Sequence, residues 1–334
     1  MNEREKSNLP DLVFINPTAT LAELKAEFKE AKKKKRFAFV LGNGINRYAS
    51  SDEAIPWDKL IARLWKKFLP EESMPQVSSG LTLTEIYDIM CMKACMTAGH
   101  WIDKNNDIKK ETLSYFQNSG YREWLRKKLE ALKVPVLTTN YDANIEGAER
   151  KLKGKKTNGH SEVYPIDEYC ADTEITKDNY GKEFCVWHIH GRVNRQRSPR
   201  LGTADYMGLV TYVKDFEQNT ANLFNVRKRD DAWGVVKYGE PALEEKYRFT
   251  WLEIFYNSSL CINGLALDPN ETFLRWLLIS RKKYLDRIGS DAKGWYICSL
   301  SDLNDGKRYF LLSVGFKIVV IEDLDVRYRD LFDF

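Results

Sequence analysis

The sequence predicts an α/β protein built on a doubly wound, mostly parallel sheet of about six strands with helical insertions. Three observations carry this. Short apolar runs recur at 37–41, 134–139, 184–190, 260–264, 295–300 and 316–321, and continuous runs of that length suit strands buried on both faces. Segments with helical periodicity separate them, as parallel strands require a crossover between each pair. Four of the runs end in Gly, Asn, Asp or His rather than in more core residues; in open parallel sheets, ligands bind beyond the carboxyl ends of the strands.

Taken in order, a polar lead and an amphipathic helix at 20–35 precede the first strand, so residues 1–35 read as an N-terminal helical lead and 36–334 as one catalytic domain. The run Phe37-Ala38-Phe39-Val40-Leu41 breaks into Gly42-Asn43-Gly44, a strand entering a loop. Helices are expected at 57–68, 82–97 and 107–130, then a strand at 134–139 leading through Asn140-Tyr141-Asp142 into another helix. After the strand at 184–190, closed by Gly191, a largely helical stretch covers 203–259. The strand–helix rhythm then returns, with helices at 271–288 and up to 311, and a last helix or tail at 323–334. The segments near 57–130 and 203–259 are insertions into one domain, with no internal repeat.

Composition narrows the class. The chain has 52 Lys+Arg against 48 Asp+Glu, a net charge of +4, with 43% hydrophobic and 30% charged residues; this is a folded globular composition without the charge excess of a dedicated nucleic-acid domain. No run reaches the roughly 20 apolar residues needed to span a bilayer, and the N-terminus lacks a signal-peptide core, so a cytoplasmic location with no membrane partner is expected. The six cysteines, at 91, 95, 170, 185, 261 and 298, contain no C-x-x-C pair, which argues against a disulfide framework or a zinc ribbon. Basic runs at 32–36 and 150–156 are expected to be helix ends, where cations offset the macrodipole, with nucleic acid touched only indirectly if at all.

Each strand end has an ordinary reading by itself. Glycines after a strand make turns; Asn140 and Asp142 could cap a helix; Arg47 stands where a dinucleotide fingerprint needs its third glycine. Together, their order and spacing resemble the sirtuin-like family of NAD-consuming proteins. Gly42-Asn43-Gly44-Ile45-Asn46 is similar to that family's glycine loop, Thr138-Thr139-Asn140-Tyr141-Asp142 to its Thr-Asn-x-Asp signature and His190-Gly191 to its catalytic His-Gly. Gly264-Leu265-Ala266-Leu267-Asp268 and Pro56-Trp57 look like later elements of its bacterial branch.

The departures matter as well. Asn46 replaces the loop's usual Ser, Asn263-Gly264-Leu265 replaces a Gly-Thr-Ser-like turn, and the four-cysteine zinc module of deacylases is missing. The resemblance therefore implies a Rossmann-like domain without zinc that hydrolyses NAD+ to nicotinamide and ADP-ribose, as in bacterial antiphage defence. NAD+ enters as a substrate, and no metal is expected. By the resemblance, Asn140 orients the attacking water, His190 acts as general base near neutrality and Asp142 supports the nicotinamide side or its loop. Backbone N–H groups of Gly42, Asn43, Gly44, Ile45 and Asn46 cradle the diphosphate beside Thr139, while Gly264 and Asp268 face the adenosine end. His188, two residues from His190 and on the same strand face, is expected to be a packed neighbour. A homo-oligomer with a separate sensor or ATPase partner is implied. The alternatives are a deacylase or ADP-ribosyltransferase on the same fold, and a subunit that senses NAD or ADP-ribose without turnover.

Overall fold

The computed structural model describes residues 11–15, 19–34, 37–49, 55–76, 80–98, 101–116, 123–147, 152–153, 169–172, 174–175, 183–193, 198–230, 250–269 and 271–334. In chain order its elements are β1 (Leu12–Phe14), α1 (Ala19–Lys33), β2 (Phe37–Leu41), α2 (Gly44–Ala49), α3 (Trp57–Phe68), α4 (Leu83–Ala98), α5 (Trp101–Ser114), α6 (Glu123–Leu132) and β3 (Pro135–Thr138). There follow β4 (Leu152–Lys153), β5 (Tyr169–Cys170), β6 (Cys185–His188), α7 (Thr203–Asp230), α8 (Trp251–Asn257), β7 (Ser259–Asn263) and α9 (Thr272–Ile288). The chain closes with β8 (Gly294–Cys298), α10 (Asp305–Ser313), β9 (Phe316–Val320) and α11 (Leu324–Tyr328).

The nine strands of the described residues join one sheet in the order β1-β9-β8-β7-β2-β3-β6-β5-β4. Every pairing from β1 to β6 across that order is parallel, and only the β6-β5-β4 edge is antiparallel. The chain winds from β2 through β3 to β6, then returns to the other side of β2 and continues through β7, β8 and β9. The reversal between β3 and β7 on either side of β2 is a topological switch point.

Both faces of the sheet are covered, and the strand period shows how. On β2, Phe37, Phe39 and Leu41 enter one buried cluster with Phe28, Leu129 and Phe332, whereas Ala38 and Val40 enter the other with Trp187, Phe255 and Leu277. On β7, Leu260 and Ile262 face the second cluster and Cys261 the first. This two-sided burial is what a run of consecutive apolar residues demands. A third cluster lies within the first insertion, where Leu60, Ile61, Leu64 and Trp65 of α3 meet Ile86 and Met90 of α4 and Ile108 of α5. Tyr141 and Leu201 join it, which anchors the insertion against the strand ends.

Several expectations are corrected. Among the described residues the sheet has nine strands rather than about six: β1, β4 and β5 span three, two and two residues, too short to stand out as apolar runs. Ahead of the expected first strand, Leu12, Val13 and Phe14 form a further strand that pairs with β9. The helix expected at 107–130 is two, α5 and α6. No helix follows Asp142 within the described residues, where 144–146 form a turn. Lys32 and Lys33 do end α1; of the second basic run, the described residues 152–153 form edge strand β4 and not a helix end, Lys153 Nζ donating to the Asp172 carbonyl at 2.6 Å. Residues 35–36, 150–151, 154–156 and 231–249 lie outside the described residues. No helix among the described residues is long and apolar enough to cross a membrane.

Candidate active site

The four polar strand ends belong to β7, β2, β3 and β6, which are consecutive in the sheet. Their registers align, Leu41 standing opposite both Asn263 and Thr138, and Thr138 opposite His188. All four ends therefore open on the same edge at the switch point. A cleft of about 1090 Å³ lies there, lined by Asn43, Thr139, Asn140, Asp142, His190, Gly264 and Asp268 among the residues expected from sequence. Gly42, Gly44, Ile45 and Asn46 do not line it.

The glycine loop shows why. Gly42 N–H donates to the Asn263 carbonyl at 3.0 Å and Gly44 N–H to the Gly264 carbonyl at 2.8 Å. Those donors are spent on the neighbouring loop, so the expected backbone cradle for a diphosphate is not formed by them. The glycines serve a close approach instead: a Cβ on Gly42 would stand 2.4 Å from the Gly264 carbonyl oxygen and 2.7 Å from Leu265 Cα. Both atoms are backbone and cannot swing aside. Gly42→Ala is expected to destabilise the fold by about 1–3 kcal/mol, read as a lowered thermal midpoint; an unchanged midpoint would mean that the two loops are not locked together.

Asn46 is a strut. Its Nδ2 donates to Asp142 Oδ2 at 2.8 Å and to Asn43 Oδ1 at 3.3 Å, while Asp142 Oδ1 accepts the Asn144 N–H at 3.0 Å. Burial raises the Asp142 carboxyl, and the Asn144 and Asn46 hydrogen bonds oppose that rise. Asn140 is held from both sides. Its Nδ2 donates to the Gly42 carbonyl at 3.3 Å, and its N–H to Thr138 Oγ1 at 3.1 Å. Held in this way, Asn140 lines the cleft.

His188 does more than pack. Its Nδ1 lies 2.7 Å from the Asn140 carbonyl oxygen and its Nε2 2.8 Å from Glu146 Oε1, which also accepts Arg192 Nε at 2.9 Å. Burial penalises the Glu146 charge, but His188 and Arg192 outweigh that and hold the carboxyl below its usual range. Cys170 comes close to Glu146 and His188, with ligand atoms within 4.8 Å. Glu146 Oε1 already meets a guanidinium and an imidazole, so these groups form a buried ion network. All six cysteines are buried.

His190 lies beyond β6, not within it, on the turn that ends at Gly191. Gly191 has φ +89°, and a Cβ there would stand 2.3 Å from the Ser198 carbonyl oxygen; only glycine turns the chain here. Burial pushes the His190 imidazole down to about 3, which corrects the expectation of a group titrating near neutrality. It is neutral at physiological pH, with Nε2 buried and without a hydrogen-bond partner.

Several cleft residues, charged ones among them, were not expected from sequence. Glu271, at the start of α9, lines the cleft with a carboxyl pushed up to about 7 by burial and by the Asp268 charge. Its signal was present as an acid three residues after Asp268, read only as a helix start. Arg47 and Lys214 also line the cleft, both exposed. Asp268 itself is shared, since Lys307 Nζ donates to its Oδ1 at 3.0 Å. The folded-state value of Glu271 is above its unfolded value, so its stabilising contribution is full below about pH 4.5 and lost as pH rises through about 7. Glu271→Gln should abolish that loss, and urea midpoints at pH 5 and pH 8 check it: wild type falls between them more than the variant does.

Fold and cleft together define an α/β protein of the open parallel-sheet class with a polar cleft at its switch point. Compared with known proteins, the chain matches no protein-family model and no curated protein.

Proposed function

We propose that this chain is a sirtuin-like NAD+ glycohydrolase, releasing nicotinamide and ADP-ribose. The observation that carries the reading is the convergence of Asn140 and His190 on one cleft from adjacent strands β3 and β6. Nothing in their sequence separation requires that, and both are residue types the hydrolysis uses. The bond broken is ribose C1′ to the pyridinium nitrogen; its electron pair neutralises the nicotinamide ring, leaving an oxocarbenium-like centre. Asn140 orients a water toward that centre, supplying position rather than proton transfer. The water oxygen bonds C1′ and its proton passes to His190 Nε2 and on to solvent. Asp142 keeps the glycine loop in place through Asn46. With the Gly42 and Gly44 donors spent, Arg47 and Lys214 supply the positive charge for the diphosphate. Asp268 and Gly264 remain the adenosine end.

In this reading the enzyme depletes NAD+ during antiphage defence in the cytoplasm, as a homo-oligomer triggered by a separate sensor or ATPase. Purified chain incubated with NAD+, alone and with its genomic neighbours, tests it. Nicotinamide release abolished by Asn140→Ala and by His190→Ala is expected. Release that needs an acyl-lysine peptide would overturn it in favour of a deacylase, and tight binding without release in favour of a sensor.

A further inference from the structure

His190 meets one tyrosine directly, and through it a second. Tyr206, on insertion helix α7, places its ring edge-on to the imidazole with centroids 5.2 Å apart, and its hydroxyl lies 3.5 Å from Nδ1. The ring is braced by stacking on Phe273 at 5.4 Å. Tyr206 also hydrogen-bonds the Tyr141 hydroxyl as donor. Tyr141 in turn donates to the Arg200 carbonyl at 2.7 Å.

The direction of this chain is set at its far end. A backbone carbonyl can only accept, so the Tyr141 proton is committed to Arg200 and the Tyr141 oxygen is left as an acceptor. The Tyr206 proton is committed to that oxygen. The Tyr206 oxygen is then an acceptor toward His190, and Nδ1 must carry the imidazole proton to meet it. A neutral imidazole holds one N–H, so Nε2 keeps a lone pair. The same Nε2 is the buried ring nitrogen with no partner in the cleft wall.

We propose that Tyr141 and Tyr206 are positioning residues that fix His190 in its Nδ1–H form and so present Nε2 as the proton acceptor of the cleft. The catalytic consequence rests on the NAD+ hydrolysis reading; the tautomer does not. The arrangement also makes the insertion helix part of the site, because the chain of hydroxyls is broken without α7.

Nitrogen NMR of the full chain labelled with 15N-histidine tests the proposal without turnover. The His190 signals are assigned by their loss in His190→Gln. Wild type is expected to show a protonated Nδ1 and a bare Nε2. Tyr206→Phe keeps the ring contacts but removes the acceptor, and is expected to shift the proton toward Nε2 or to give a mixture. Tyr141→Phe should produce a smaller shift in the same direction, and decides the matter if Tyr206→Phe does not fold. A wild-type proton on Nε2, or a wild-type pattern in a folded variant, overturns the proposal whether or not NAD+ is cleaved. Where nicotinamide release is measurable, Tyr206→Phe should lower kcat by about tenfold with little change in KM, as expected for a misdirected base. A pure KM effect would instead mark Tyr206 as a substrate contact.

Discussion

His190→Ala is expected to lower nicotinamide release by about 10²–10⁴-fold, the range for loss of a positioned base, with NAD+ affinity far less affected. The size of the effect follows from where the imidazole sits. Its Nε2 has no hydrogen-bond partner, so no neighbouring protein group is in place to take over the proton when it is removed. Single-turnover measurement separates the chemical step from binding. A loss confined to KM would place His190 in substrate binding and not in proton transfer. The pH profile offers a second check. With the imidazole held at about 3, its protonation produces no acid limb between pH 5 and 8. A limb near neutrality in wild type should vanish in Glu271→Gln, because that carboxyl sits at about 7; a limb that persists would assign the titration to another group.

The largest loss of stability is expected at Glu146. Its side chain is fully buried and accepts from both His188 and Arg192, which are nearly as buried. Removing one partner of a buried ion pair costs about 3–5 kcal/mol, since the other charge is left without compensation. Glu146→Ala strands a guanidinium and releases the imidazole that holds the Asn140 carbonyl. Urea unfolding should show a midpoint lowered accordingly with an unchanged slope. Glu146→Leu combined with Arg192→Met should recover part of the loss, because the expense lies in the isolated charge and not in missing contacts. The contribution has a defined pH window. The Glu146 carboxyl is depressed from its ordinary 4.5, so its stabilisation is present above that value and is lost as pH falls through the lower folded-state value.

The central strands were legible in the sequence because each is buried on both faces and therefore reads as an unbroken apolar run. Phe37 to Leu41 and Ser259 to Asn263 are examples, buried throughout. The short outer strands were not legible for the converse reason. Leu12–Phe14 and Tyr169–Cys170 are short pieces whose strand character comes from the neighbour they pair with. The C-terminal residues, readable only as a helix or tail, owe their place to packing: Leu331 and Phe332 are buried beside Phe39, and Tyr328 reaches the glycine loop.

Within the site, the sequence by itself determined that Asn140, Asp142 and His190 stand at strand ends, since strand periodicity and carboxyl-end loops are local properties of the chain; the pairing of β3 with β6 brought those ends together. Tertiary structure alone decided what each group can do. It spent the Gly42 and Gly44 donors on the next loop, joined His188 to Glu146 and Arg192, raised Glu271 and silenced the charge of His190, and brought Tyr206 across from an insertion. These outcomes depend on burial and on hydrogen-bond partners far away in sequence. A residue's identity fixes its chemistry in water, but the neighbours that replace that water are assembled only when the chain folds.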